Sequence, residues 1–174
     1  FYSRAGKHFN APEWFLDSMP PPDLLGDQIL DGELWAGRDN FQLIGVVRKK
    51  KPIPEEWLTI QYHVYDITNL EGIFTTRLKD LKRIVEFTSK AWRINLKNGE
   101  LCLPTNSEIQ HPLVFARQIK ITGEKMMNEF YQDIIGNGGE GIMMKHPLSL
   151  YANGRSNYML KYKPSFDEEA IIID

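Results

Sequence analysis

Cysteine is nearly absent: Cys102 is the one thiol in 174 residues. That excludes an intramolecular disulfide framework and a metal site built from several cysteines. Cys102 reads as a buried or idle thiol. Long apolar runs are missing too, so no segment reads as a membrane-spanning helix. There is no surplus of positive charge, since 21 Lys and Arg face 23 Asp and Glu, a net charge of −2. A domain dedicated to nucleic acid is usually basic, so any such contact must come from local patches. Two exist, Arg48-Lys49-Lys50-Lys51 and the stretch from Lys79 to Arg83. Read alone, each is a solvated loop or helix face. Repeats and low-complexity tracts are absent as well. What remains is long enough for one domain with a core of its own.

Pro20-Pro21-Pro22 marks a surface connection. Residues 30–35 read as a short strand carrying two acids, and residues 60–67 alternate like a second strand. Residues 41–47 are apolar and β-branched. Pro52 and Pro54 break the basic run that follows, before a short helical turn at Glu55-Glu56-Trp57. From 76 to 90, apolar residues at 78, 81, 84, 85 and 87 keep helical spacing. Asn98-Gly99 is expected to turn a hairpin between 92–96 and 100–103, and 113–121 to form a further strand. Residues 123–135 are expected to be helical, with Met126, Met127, Phe130, Ile134 and Ile135 as the buried stripe and the glycines after it as the stop. Strands at 140–145, 158–163 and 170–173 complete the pattern. There is no regular βαβ rhythm, which points to an α+β fold with mostly antiparallel sheets.

Five short segments carry chemistry: Ser3-Arg4-Ala5-Gly6, Leu30 to Leu34, Tyr62 to Asp66, Glu140 to Lys145 and Leu160 to Lys163. In a strand over 140–145, Glu140, Ile142 and Met144 share a face. A carboxylate beside two large apolar groups suits a floor where a flat ring lies next to a metal-bound phosphate. The glycines before it let a ligand approach the backbone. Lys161 and Lys163 emerge on one face of their strand. Two ammonium groups side by side repel unless an anion sits between them, and a phosphate fits. Asp31 and Glu33 share a face at a spacing that suits a hard divalent cation or hydroxyls. Tyr65 can stack on a base, with His63 a passive neighbour, and Arg4 can reach a ribose or phosphate. Each segment also has a plain reading as solvated surface, turn or core.

Order, spacing and flanks together make the chain resemble the nucleotidyltransferase domain of ATP-dependent DNA ligases, over nearly its whole length. The likeness is nearest to small ligases of bacterial and viral type. It rests on Ser3 to Gly6, Ala11 to Phe15, Leu30 to Trp35 and the Val-Arg-Lys-x-Lys-Pro stretch from Val47 to Pro52. It continues through Gly139 to Lys145, Tyr151-x-x-Gly154-Arg155-Ser156 and Leu160 to Lys163. The resemblance implies the ligase and capping-enzyme fold, antiparallel sheets flanked by helices around an ATP cleft, ATP-grasp-like in style. It implies ATP (bound as AMP in part of the cycle) and Mg²⁺ or Mn²⁺ as cofactors, nicked duplex DNA as partner, and a monomer free of membrane. Work in DNA repair, replication and recombination follows from it.

By that resemblance Arg4 contacts the ribose and later the DNA 5′-phosphate, and Glu33 the sugar side or a metal ion. Tyr65 stands where a phenylalanine usually stacks on adenine. Glu140 assists metal binding, Lys161 and Lys163 hold the α-phosphate, and Arg155 helps at the nick or the phosphate. Arg48, Lys49, Lys50 and Lys51 become a surface that contacts DNA phosphates without reading sequence. Two departures stand out: no lysine here lies in a Lys-x-Asp-Gly setting, and no OB-fold follows. The expectation is an adenylation domain over 1–169, a connection to an OB-fold at 170–174, a nucleophile segment upstream of Phe1, and no self-adenylation by these 174 residues alone. An RNA ligase or capping guanylyltransferase shares the same parts, and a non-catalytic nick-binding module is the reading outside enzymes. The flanks Ala-Pro-Glu-Trp-Phe and Val-Arg-Lys-Lys-Lys-Pro favour DNA ligase.

Overall fold

A stretch rich in β-branched and aromatic side chains pairs with a shorter acidic one in the computed structural model, which describes residues 1–38, 40–104 and 109–165 and leaves the Phe41 side chain aside. The expected strand at 170–173 falls outside the described residues. Strand β1, Leu30–Trp35, runs antiparallel to β2, Gln61–Ile67, from Leu30 opposite Ile67 to Trp35 opposite Gln61. A third strand, β3, Leu113–Phe115, joins β2 in parallel. The sheet order is β1-β2-β3. The chain divides into two units, residues 1–118 with 147–152, and residues 119–146 with those from 153 onward.

In the first unit one long helix, α3, Phe74–Asn98, packs on β2 and β3. Its buried residues are Phe74, Arg77, Leu81, Ile84, Val85, Thr88 and Trp92. These recur at three- and four-residue steps and so line one stripe. Leu81, Ile84 and Val85 meet Val64, Ile67 and Leu113 in one apolar cluster. A second cluster gathers Trp14, Phe15, Ala36, Val47, Trp57 and Ile60. It is fed by the short helix α1, Glu13–Asp17, and by 3₁₀ turns over Phe41–Arg48 and Pro54–Thr59, while Leu24 and Leu25 of α2, Pro22–Leu25, pack on the first cluster.

α3 overturns the expected hairpin at Asn98-Gly99. Residues 92–98 stay helical, and Gly99, at φ 73°, caps the helix with its N–H toward the carbonyls of Asn95 and Leu96. A glycine just past a helix end takes the left-handed conformation at no steric cost, so the dipeptide that favours a hairpin turn serves equally as a helix stop. Phe87 also departs from expectation: it is exposed, and Arg77 holds a core position instead. The strand expected over 113–121 stops at Phe115, because β2 bulges just beyond its pairing with β3.

The second unit holds helix α4, Glu124–Gly136, and an antiparallel hairpin of β4, Ile142–Lys145, with β5, Met159–Tyr162. Tyr131 of α4 meets Tyr162 of β5 ring to ring at 4.6 Å. The helix falls where expected, but its stripe is shallower: none of its residues is fully buried, and Met126 is exposed. Among the described residues no helix is long and apolar enough to cross a membrane.

Candidate functional site

The β1–β2 pair carries an irregularity at the residues singled out from sequence. Asp31 lies opposite Asp66, yet Gly32 lies opposite Val64, so Tyr65 is an extra residue on β2. A bulge of this kind bends the strand and re-aims side chains. Gly32 permits it: a Cβ there would sit 2.5 Å from the His63 carbonyl oxygen and 2.7 Å from the Tyr62 ring. The bulge breaks alternation, so that Asp66 and Ile67, neighbours in sequence, are both fully buried while Tyr65 reaches solvent.

Three phenols surround Asp31. Tyr151 donates its hydroxyl to Asp31 Oδ2 at 2.8 Å. Tyr65 is pushed up to about 12 by burial, then by the charges of Asp31 and Glu33 and a hydrogen bond to Asp31. Tyr62, which donates to the Leu30 carbonyl at 2.8 Å, is raised by burial and then by Asp31. Tyr151 is raised by burial and then by its bond to Asp31. Asp31 is therefore committed to tyrosine hydroxyls, whereas Glu33 is exposed. His63 packs edge-on against Trp35 at 4.7 Å, bonds Gln61, and is lowered by burial. Its surroundings are those of a packing residue.

Behind this cluster lies an ion pair that sequence reading missed. Arg77 Nε donates to Asp66 Oδ1 at 2.8 Å and Nη2 to Oδ2 at 3.1 Å, with both side chains at 0% exposure. Its Nη1 donates to the carbonyls of Gly72 (2.7 Å) and Ser149 (3.1 Å). The guanidinium also sits 5.8 Å from the Tyr151 ring. Arg77 thus fixes the 147–152 segment, helped by Phe74 and Thr75 N–H groups bonded to the Ser149 and Pro147 carbonyls. The signal was present: an arginine three residues after Phe74 and four before Leu81 lies on the apolar stripe, where a charge must have a partner.

In the second unit Glu140 lies just before β4, not in it, and Lys161 lies in β5. Glu140 Oε2 is 3.6 Å from Lys161 Nζ, and the glutamate side chain is 90% exposed. Gly141, at φ 149°, brings the chain against the hairpin so tightly that a Cβ would strike the Tyr162 carbonyl. Ile142 is buried, so the expected shared face of Glu140, Ile142 and Met144 does not form as a flat floor. The carboxylate stands exposed before the strand, with Lys161 as its ion-pair partner. Lys163 is exposed one residue past β5, and Arg155 is exposed in the loop beside Gly154 at φ 89°.

Arg4 sits exposed at the tip of a turn closed by Ser3 N–H to the Lys7 carbonyl at 2.7 Å. Of the basic run, Arg48, Lys50 and Lys51 are exposed, while Lys49 is paired with Glu56 at 2.6 Å. The first unit thus holds Arg4, Glu33, Tyr65 and residues 48–51, and the second holds Glu140, Arg155, Lys161 and Lys163. A cleft of about 470 Å³ opens at the Trp35–Gln61 end of the first unit. Among the described residues its walls carry no charged side chain.

A family model described as the ATP dependent DNA ligase domain matches residues 1–163. The DNA ligase of Haemophilus influenzae is 24% identical over 174 residues, covering 98% of this chain and 54% of that protein. DNA ligase 2 of Methanosarcina mazei is 30% identical over 155 residues, covering 83% of this chain and 25% of that protein. A solved structure from work on DNA binding by Lig E DNA ligases superposes with a TM-score of 0.67 at 22% identity, covering 94% of this chain and 54% of that one. That likeness shows the fold. The chain spans about half the length of the Haemophilus protein and a quarter of the Methanosarcina one.

Proposed function

Since this chain belongs to the ATP dependent DNA ligase domain family, we propose that it is the adenylating part of an enzyme that seals nicks in duplex DNA. The match over residues 1–163 carries the reading. In the reaction, a lysine Nζ–P bond forms at the ATP α-phosphate as the bond to pyrophosphate breaks. The P–N bond then breaks as a DNA 5′-phosphate oxygen takes the AMP. The 3′-hydroxyl oxygen finally attacks that phosphate, and AMP leaves. Each step is transfer at phosphorus, so positioning and charge neutralisation dominate. Lys-x-Asp-Gly does not occur in these 174 residues, and the 174-residue polypeptide alone is proposed not to self-adenylate.

Tyr65, freed from the pairing ladder by the bulge, offers a ring face to adenine. Arg4 and Glu33 serve the sugar and phosphate side. Lys161 and Lys163 take the α-phosphate, with Glu140 holding the Lys161 ammonium 3.6 Å away until the nucleotide arrives. Arg48, Lys49, Lys50, Lys51 and Arg155 supply phosphate contacts along the duplex.

No group of three His, Cys, Asp or Glu able to grip a metal exists among the described residues. Single exposed carboxylates fit Mg²⁺, which binds through one or two carboxylates together with substrate phosphates. Glu33 in the first unit and Glu140 in the second are each a carboxylate of this kind and would contribute to holding it. When bound, the ion neutralises charge on the phosphate oxygens.

The test is to give the protein that carries this chain ATP labelled at the α-phosphate, with nicked duplex DNA. Labelled AMP should pass to the nick and sealed DNA should accumulate. Sealing of RNA nicks alone, or no transfer of label, overturns the proposal.

A further inference from the structure

The outward side of α3 is unlike the rest of this mildly acidic chain. Opposite its buried stripe lie Lys79, Lys82, Arg83, Lys90, Arg93 and Lys97, together with Glu86, Phe87 and Ile94. At 3.6 residues per turn these fall within an arc of about 140°. Phe87 is 55% exposed and Ile94 58%. Seven residues apart, they share one edge of the arc, with Arg83, Lys90 and Lys97 running beside them. Toward the helix start the charge is balanced locally, by Lys82 with Glu86 at 3.9 Å and Arg83 with Asp80 at 3.5 Å. Further on, Lys90, Arg93 and Lys97 have no carboxylate within ion-pair distance among the described residues.

Cations near a helix C-terminus are favoured by the backbone dipole, which accounts for Lys97. It does not account for two large apolar side chains left in water at heptad spacing on the same face. Phosphate backbones would use the lysines and leave Phe87 and Ile94 uncovered. A partner with carboxylates and apolar side chains on one face satisfies the lysines and covers both apolar groups, while Glu86 keeps Lys82 as its partner. We propose that α3 from Arg83 to Lys97, about 21 Å of helix, docks an acidic amphipathic helical segment of a partner protein. Its apolar side chains would cover Phe87 and Ile94, and its carboxylates would pair with Lys90, Arg93 and Lys97. The surface is independent of the nucleotide chemistry proposed above.

The probe is a fluorescein-labelled peptide of Glu, Leu and Ala, roughly 15 residues long to match the helix run, with leucines at heptad positions. Fluorescence anisotropy at physiological salt should show saturable binding. Phe87→Ser with Ile94→Ser, and separately Lys90→Glu with Lys97→Glu, should each weaken it by about tenfold or more. Both pairs are exposed, and far-ultraviolet circular dichroism checks that the helix survives. Rescue of the Lys90→Glu, Lys97→Glu variant by a peptide with Lys in place of Glu would support the pairing. Absence of saturation up to about 1 mM peptide overturns the proposal, as does equal binding of a scrambled peptide or indifference to the Phe87 and Ile94 changes. So does an unnicked duplex DNA that binds this face, by loss in the Lys90→Glu, Lys97→Glu variant, while the acidic peptide does not.

Discussion

Tyr151 reaches across 120 residues of sequence to give its phenolic proton to Asp31 at 2.8 Å. That one bond ties the 147–152 segment to β1, and Arg77 secures the same segment from the opposite side through the Ser149 carbonyl at 3.1 Å. Asp31 is thereby a structural hub beside the bulge that frees Tyr65. The carboxylate in the Leu-Asp-Gly-Glu-Leu segment that remains open to a ligand is Glu33.

Removing the Tyr151 hydroxyl separates these roles. Tyr151→Phe keeps the ring beside Arg77 and deletes only the bond to Asp31. A hydrogen bond to a charged acceptor contributes about 1.5–3 kcal/mol when buried, and a half-buried one falls toward ~1 kcal/mol. The urea midpoint should drop accordingly with an unchanged m-value. A midpoint equal to that of the unmodified protein would show that Asp31 finds water just as well.

Arg77 and Asp66 should behave as one unit. Asp66→Asn or Arg77→Met leaves a buried charge without its partner, at a cost of about 3–5 kcal/mol. The double replacement should cost clearly less than the two losses added together, because no orphaned charge remains. Additive losses in a double-mutant cycle would mean the two side chains stabilise the fold separately. The Gly72 and Ser149 carbonyls add a complication: in both arginine variants they lose a donor.

Much of this architecture was legible from local pattern. β1, β2 and α4 fall within a residue or two of expectation because each has a periodicity of one kind. Where two structures share a local signal, the sequence is ambiguous, as at Asn98-Gly99, whose glycine takes the same left-handed conformation in a turn or a helix cap. The partners of Arg77 were illegible for another reason. Its apolar neighbours mark the stripe, but its acceptors are Asp66, Gly72 and Ser149, and the last lies far along the chain. Of the site, the segments were legible through their set, and their surroundings were not. The Tyr65 bulge depends on the close strand approach at Gly32, and the Glu140–Lys161 pair on the register of β4 with β5.

The functional residues divide by what they lose. Lys161→Ala should lower nucleotidyl transfer by about 10²–10³, the scale of removing one preorganised donor from a charged transition state. Because Lys161 is exposed, thermal stability should hardly move. Glu140→Gln keeps the shape and removes the charge that restrains Lys161. Its effect should appear chiefly as a changed dependence on divalent-ion concentration. Rates of adenylate formation measured across a Mg²⁺ series check both, and a Lys161→Ala variant with unchanged rate would remove this residue from the phosphate site.

Alkaline pH tests the environment of Asp31 as a whole. A tyrosine ordinarily ionises near 10.0, and folded Tyr65 is pushed up to about 12. Between these values the unfolded chain releases a proton that the folded chain retains, so rising pH favours unfolding. The stabilisation is complete below pH ~10 and declines as pH climbs through 10 toward 12. Tyr62 and Tyr151 shift in the same direction, so the decline should be steeper than one proton allows. Tyr65→Phe should remove one proton's share of that slope and leave the stability near pH 7 largely intact. Urea midpoints followed from pH 8 to 11.5 decide it: a flat profile, or one unaffected by Tyr65→Phe, would mean that burial and the Asp31 charge do not hold these phenols in the protonated form.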